Sequence, residues 1–402
     1  MTDSPPDVDP QHLTSAFPDG SKVLHIGPPK TGTSSLQGGL HVSRDRLSAH
    51  GVSYAGQTRH ARAAATYAAL GRRPEDVGPG APAAWQRLSS EVRGSSARIV
   101  LCSSEAFAMA DSAAARRVVD DLGGEVQVVL TLRPMAAMLA SAWQQRIRNQ
   151  RAEQYDAWLA QMFAPAPHAG PAAWYWEHYG ADNLVRRWGE VVGAQNITVV
   201  VLDPADRGFL LRAFDALLGI PEGTLVPDTA TANESLPFPA IEMLRHFNLA
   251  FDESGGQRRE WVQAVRRRTL KRIRESEEPV FAPAGIDVPR WAAEAANEVS
   301  LGWISSIDAS GVRVVGDLQH LVVDASRHPE TVEIPDEIST KDAAALALLL
   351  YEGAREHFSR SAATPTQHLD GDAGVEEDAD EAVAERRTLM QRLAAAVRAL
   401  RG

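Results

Sequence analysis

Val23-Leu24-His25-Ile26-Gly27-Pro28-Pro29-Lys30-Thr31-Gly32-Thr33-Ser34-Ser35-Leu36-Gln37 runs from an apolar strand through a Gly/Lys/Thr loop into the start of a helix. A loop that ends at a helix N-terminus presents backbone N–H groups with no partner inside the helix, and the helix dipole favours an anion there. Lys30 adds a full positive charge, and Thr31, Thr33 and Ser34 add hydroxyl donors. Lysine is scarce in this arginine-rich chain, standing only at Lys22, Lys30, Lys271 and Lys341.

The spacing approaches that of a nucleotide-triphosphate loop, G-x-x-x-x-G-K-[ST], without matching it. Gly27 and Gly32 keep the frame, but Thr33 stands where the lysine belongs and Lys30 comes three residues earlier. The run P-K-T-G-T-S-S-L-Q instead resembles the 5′-phosphosulfate loop of the sulfotransferase family, which binds 3′-phosphoadenosine 5′-phosphosulfate (PAPS). That resemblance implies donor contacts from Lys30, Thr31, Gly32, Thr33, Ser34 and Ser35. A plain structural strand-to-helix turn is the alternative.

Glu125 to Leu132 (E-V-Q-V-V-L-T-L) reads as a buried parallel strand, followed at once by Arg133-Pro134 and a helix to about Arg148. Arg133 then stands at the strand's C-terminal end, beside a ligand held on the first loop. The sulfotransferase family carries an arginine at the end of such a strand and a serine eight residues later, both on the 3′-phosphate of the donor. Arg133 and Ser141 keep that spacing. An arginine capping a sheet edge and a serine packed among alanines is the competing reading.

Apolar runs at 22–27, 52–55, 97–102, 125–132 and 197–202 alternate with helical stretches at 33–50, 62–70, 84–93, 113–122, 154–163, 173–192 and 209–218. Such alternation predicts an α/β fold, a three-layer P-loop-type arrangement with a mostly parallel sheet flanked by helices. The stretch 199–221 also looks like the late strand and helix of bacterial sulfotransferases. Expected organisation is a disordered leader at 1–20, a P-loop core at 21–250 and a helical extension at 251–362. An acidic linker at 363–382 and an amphipathic helix at 383–402 follow. Within the extension, Glu260 to Glu278 carries Arg266-Arg267-Arg268, a solvated face or a hold for an anionic acceptor.

Sulfuryl transfer needs a group to accept the proton of the attacking hydroxyl. Strand 97–102 ends in Ser103-Ser104-Glu105, and Glu105 is the first candidate base, with a cap or ion-pair role as its alternative. His25, inside an apolar strand, and His60, in the polar stretch Gln57 to Arg62, are the fallback candidates. Lys30 is expected to neutralise the phosphosulfate and the charge that develops on the bridging oxygen. Family members often carry Arg-Lys-Gly late in the chain, and that tripeptide is missing here. Bacterial members often show Asn-x-Ser in that region, so the resemblance carries Asn233 and Ser235 as donor contacts.

Composition adds limits. The net charge of -11 is concentrated in eight acids between Arg360 and Arg386, where no Lys or Arg occurs, and the rest of the chain is near neutral. A near-neutral body is poor material for nucleic-acid binding. Cys102, the one cysteine, excludes an internal disulfide and a cysteine-built zinc site. Neither a membrane-length apolar run nor a secretory leader is legible, so a cytoplasmic setting is expected. No metal-ligand spacing is evident and none is expected in the reaction. A small-molecule or glycan acceptor, 3′,5′-adenosine diphosphate as product, and a possible homodimer through the C-terminal helices complete the expectation. The competing functions are a P-loop kinase and a non-catalytic nucleotide-binding regulator.

Overall fold

The computed structural model describes residues 16–71, 78–164, 170–228, 236–275, 281 and 285–361. The acidic linker, the helix expected at 383–402, Asn233 and Ser235 lie outside the described residues.

Six strands form one parallel sheet: β1 (Ser21–His25), β2 (Val52–Tyr54), β3 (Ile99–Ser103), β4 (Gln127–Leu132), β5 (Ile197–Val201) and β6 (Arg313–Val315), in the order β2-β3-β1-β4-β5-β6. Strands β3 and β5 are buried along their whole length, as a parallel sheet covered on both faces requires. From β1 the chain moves to one side for β2 and β3, then crosses to the other side for β4 to β6. The loop after β1 therefore sits where the connection changes direction, the position at which α/β sheets open a crevice for ligands.

Helices α1 (Thr33–Val42), α2 (Arg44–Ala49), α3 (Arg62–Leu70), α4 (Ala81–Gly94) and α5 (Ser112–Asp121) fill the first crossovers. Then come α6 (Ala136–Ile147), α7 (Tyr155–Met162), α8 (Gly170–Tyr179), α9 (Ala181–Val192) and α10 (Phe209–Leu217). On one face, Leu36 and Leu40 of α1 and Leu210, Phe214 and Leu217 of α10 form a buried cluster with Val23, Leu101, Val129 and Val200. Burying side chains of this size stabilises by about 1.5–3 kcal/mol each, which fixes α1 and the loop before it against the sheet.

The structure departs from the sequence expectation at several points. The single helix expected over 33–50 is broken at Ser43, whose backbone leaves the helical region and whose hydroxyl accepts from Val226 N at 3.1 Å. The helix expected over 173–192 breaks at Gly180, where ψ is 127°. Phe17, placed in the disordered leader, is 3% exposed in the main core, and its N–H donates to Leu217 O at 2.8 Å. Strand β6 follows the long helix α12 (Arg290–Ser310) and had no counterpart in the expectation; here α11 is Phe238–Glu253. Arg266 to Arg268 lie in a π-helical turn, Val262–Thr269.

Two compact units share the chain: one holds the sheet and comprises Met1–Met138, Gln161–Thr231 and Arg290–Arg327, and the other comprises Leu139–Ala160, Ala232–Pro289 and His328–Gly402. Division is thus interleaved rather than sequential. In the second unit the rings of Trp143, Tyr155 and Phe238 pack at 5.0–5.8 Å. Asn248 donates to the carbonyls of Ile147 and Arg151 and accepts from Trp261 Nε1. Thr269 donates to Leu349 O, which ties the π-helical turn to α13 (Thr340–Ser361). Among the described residues, no helix is long and apolar enough to cross a membrane.

Candidate anion site at the carboxyl edge of the sheet

The loop between β1 and α1 is shaped by three positions. Gly27 is forced by space, since a Cβ there would stand 2.1 Å from Thr131 Oγ1 and 2.8 Å from His25 Nε2. Gly32 has φ 85° and Lys30 has φ 76°, both left-handed. That region is ordinary for glycine and strained for lysine, and such strain concentrates at functional loops. Helix α1 starts with Gly32 as N-cap, without a side-chain cap and without an acid in its first turn. Its first helical bond joins Leu36 N to Gly32 O at 3.0 Å, so the N–H groups of Thr33, Ser34 and Ser35 precede the ladder.

Ser34 and Ser35 are exposed, whereas Thr31 and Thr33 are buried. Thr31 was expected to offer its hydroxyl to the anion, but that hydroxyl donates inward to Pro28 O at 2.7 Å and braces the loop. Thr33 reaches the same carbonyl at 3.5 Å. Arg133, at the end of β4, donates from Nη1 to Lys30 O at 3.3 Å, and burial lowers its pKa while leaving a guanidinium charged at any ordinary pH. The structure therefore brings Lys30 and Arg133 together. Ser141 lies in α6, eight residues beyond Arg133, and falls in the second unit.

Below the loop runs a buried polar ladder. Thr31 Oγ1 meets Thr131 Oγ1 at 2.9 Å, Thr131 Oγ1 meets His25 Nε2 at 3.1 Å, and His25 Nδ1 meets Ser103 Oγ at 2.7 Å. Gln37 Nε2 donates to Ser103 Oγ and to Ser103 O, both at 3.2 Å, and Gln37 Oε1 stands 2.6 Å from His60 Nδ1. His25, Thr31, Gln37, Ser103 and Thr131 are each at most 1% exposed. Burial pushes the His25 pKa down to about 3, so its imidazole is neutral, and both ring nitrogens are committed inside the core. As a fallback base His25 has no lone pair to offer at the surface.

Glu105 opens a short 3₁₀ turn, Glu105–Met109, after β3, where Ser104 Oγ accepts from Ala106 N. Its carboxylate lies 3.9 Å from Arg62 and is 26% exposed. His60, in the loop after β2, shares this neighbourhood. Burial lowers the His60 pKa, Arg59, Arg62 and His41 lower it further, and Glu105 acts the other way. Tyr179 from α8 also feels Glu105, and burial raises its pKa. The buried Arg187 donates to Ala108 O at 2.7 Å and to Glu177 O at 2.9 Å, which clamps the 3₁₀ turn to the end of α8. Arg59 pairs with Asp228, and the pair sits against Gly38 of α1, where a Cβ would be 2.7 Å from Arg59 Nη2.

Gln37, Ser103 and Thr131 escaped the sequence reading, although a lone hydroxyl inside each of the runs R-I-V-L-C-S and V-V-L-T-L was a usable signal. A separate open groove of about 760 Å³ along the edge strand β2, lined by Arg44, Ser53, Glu91 and Ser95, includes none of Lys30, Glu105, His60 or Arg133. Among the described residues no three His, Cys, Asp or Glu side chains are grouped to hold a metal ion. No family model matches the chain, and no curated protein does. Among solved structures, the chain is similar to a sulfotransferase from Alicyclobacillus acidocaldarius at 20% identity, over 60% of this chain and 91% of that one, with a TM-score of 0.35.

Proposed function

We propose that this chain is a sulfotransferase that moves a sulfuryl group from PAPS to a hydroxyl of a small molecule, glycan or secondary metabolite. The observation that carries the reading is the pairing of Lys30, held left-handed at an uncapped helix start, with Arg133, which reaches that same loop from the end of β4. Two cations and a row of N–H groups on one edge suit a donor with anionic groups at both ends of its ribose. The neighbours of His25 on the flanking strands are the hydroxyl residues Ser103 and Thr131. In a Walker-type loop the lysine directly follows the second glycine, whereas Lys30 precedes Gly32, and that departure favours a phosphosulfate over a metal-bound triphosphate.

In this reading the N–H groups at 33–35 and Lys30 receive the sulfated end of the donor, while Arg133 receives the 3′-phosphate. Lys30 also offsets the charge that grows on the bridging oxygen as the sulfuryl group departs. Glu105 and His60, which follow β3 and β2 on the same edge, form the proton-accepting side. Glu105 is 26% exposed, and is accessible to an acceptor.

Calorimetry of the full chain with 3′,5′-adenosine diphosphate, against ATP with Mg²⁺, tests this. Preferential binding of 3′,5′-adenosine diphosphate is expected. Preference for ATP with Mg²⁺ would replace the reading with a P-loop kinase, and binding without any donor cleavage would replace it with a regulator.

A further inference from the structure

The polar ladder beneath the loop has a direction, and the direction fixes the state of His60. Backbone carbonyls only accept hydrogen bonds, and two of them anchor the ladder. At one end Thr31 donates to Pro28 O, so the bond between Thr31 and Thr131 must use the proton of Thr131. Thr131 then accepts from His25 Nε2–H, and His25 Nδ1, bare, accepts from the Ser103 hydroxyl. At the other end Gln37 lies 3.2 Å from Ser103 O, so the atom facing that carbonyl is the amide nitrogen. The same nitrogen satisfies Ser103 Oγ, whose own proton is already spent on His25.

Gln37 therefore turns its oxygen, Oε1, toward His60 Nδ1 at 2.6 Å, and that contact requires a proton on Nδ1. Neutral imidazole carries one proton, so Nε2 is the nitrogen with the lone pair. Fixing the second nitrogen of a histidine is how a protein decides which nitrogen does chemistry. We propose that Gln37 is a positioning residue that holds His60 in the Nδ1–H form, and that His60 Nε2 takes the proton of the acceptor hydroxyl in the sulfuryl transfer described above, on which this assignment rests.

As the acceptor oxygen bonds to sulfur, its proton passes to Nε2, and the bond from sulfur to the 5′-phosphate oxygen breaks with its electron pair leaving on 3′,5′-adenosine diphosphate. The imidazolium then returns the proton to water. Glu105 lies close enough to favour the imidazolium, while Arg59, Arg62 and His41 disfavour it. Burial, with Arg59 and Arg62, keeps His60 in its neutral, proton-accepting form at neutral pH.

The full-length chain with ¹⁵N-labelled histidine tests the tautomer, the His60 signal being the one lost in His60→Asn. Protonated Nδ1 and bare Nε2 are expected in the wild type, and a mixture of tautomers in Gln37→Leu. A wild-type Nε2–H form would overturn the proposal. Gln37→Glu keeps an acceptor oxygen toward Nδ1, so it should restore the Nδ1–H form and move the His60 titration upward; an unmoved titration would overturn the positioning role.

Release of 3′,5′-adenosine diphosphate from PAPS, with water and a panel of phenols, primary alcohols and monosaccharides as acceptors, tests the base. His60→Asn should lower the rate by about 10²–10⁴-fold and leave binding of 3′,5′-adenosine diphosphate unchanged. Release that His60→Asn leaves unaltered overturns the base assignment alone. No release by the wild type overturns the sulfuryl-transfer reading beneath it.

Discussion

Arg133 Nη1 donates to the backbone carbonyl of Lys30 at 3.3 Å, joining the end of β4 to the left-handed residue of the loop after β1. One N–H of the guanidinium thus steadies the loop, and the group as a whole carries five donors in a planar fork, the form that suits the 3′-phosphate proposed to lie at this edge. Lysine at this position keeps the charge and loses the fork. Arg133→Lys is expected to weaken binding of 3′,5′-adenosine diphosphate by about 10–100-fold, in keeping with the ~1.5–3 kcal/mol of a hydrogen bond to a charged group. Calorimetry measures it, and unchanged affinity would remove Arg133 from the site.

Lys30 invites a test in which stability and activity move in opposite directions. Its φ of 76° costs about 1–2 kcal/mol for a residue with a Cβ, and glycine adopts the same backbone without that cost. Lys30→Gly should therefore raise Tm or leave it unchanged, while PAPS turnover falls by about 10²–10³-fold from loss of the charge proposed to meet the transition state. A fall in both together would mean that Lys30 holds the loop and not the ligand.

The strand, loop and helix start around Lys30 were legible because each carries a local signature: an apolar run, two glycines and a lysine in a chain that rarely uses one. Arg133 was legible for the same reason, standing between V-V-L-T-L and a proline. The ladder beneath them was not, because its meaning lies in strand pairing. His25 meets Ser103 and Thr131 across sequence separations of 78 and 106 residues, and no window around any one of them contains the others. Strand β6 has three residues and so little apolar pattern of its own that only its pairing with β5 defines it. The breaks at Ser43 and Gly180 arise from local backbone and a distant N–H at Val226, which helical periodicity does not register.

Gly27 separates space from backbone freedom. Its φ is not left-handed, yet a Cβ would collide with Thr131 Oγ1 at 2.1 Å and crowd His25 Nε2 at 2.8 Å, both held by the ladder. Overpacking of this kind costs about 1–3 kcal/mol, and here it also pushes apart a buried hydrogen-bonded chain. Gly27→Ala is expected to lower Tm, and the double variant Gly27→Ala with Thr131→Ala to recover part of the loss by removing the hydroxyl that is struck. If the double variant is less stable than the sum of the two single variants, the collision is not the cause.

His25 gives the fold a pH dependence whose sign follows from its burial. Its pKa is held down to about 3 in the folded chain against about 6.5 when unfolded, so between these values the unfolded state binds the extra proton. Stability from this group is complete above about pH 6.5 and declines as pH falls toward 3, by about 1.4 kcal/mol for each unit. His60 and His246, also lowered by burial, contribute in the same direction, whereas Asp215, raised by burial, acts oppositely. His25→Gln isolates the one term: Gln cannot titrate, and the slope of unfolding free energy between pH 6 and 4.5 should drop by close to one proton relative to the wild type, even as the variant is less stable at pH 7. Denaturant titrations at several pH values measure that slope. Parallel slopes in the two proteins would mean that His25 becomes protonated while folded, and that the neutral ladder assigned from its hydrogen bonds does not hold.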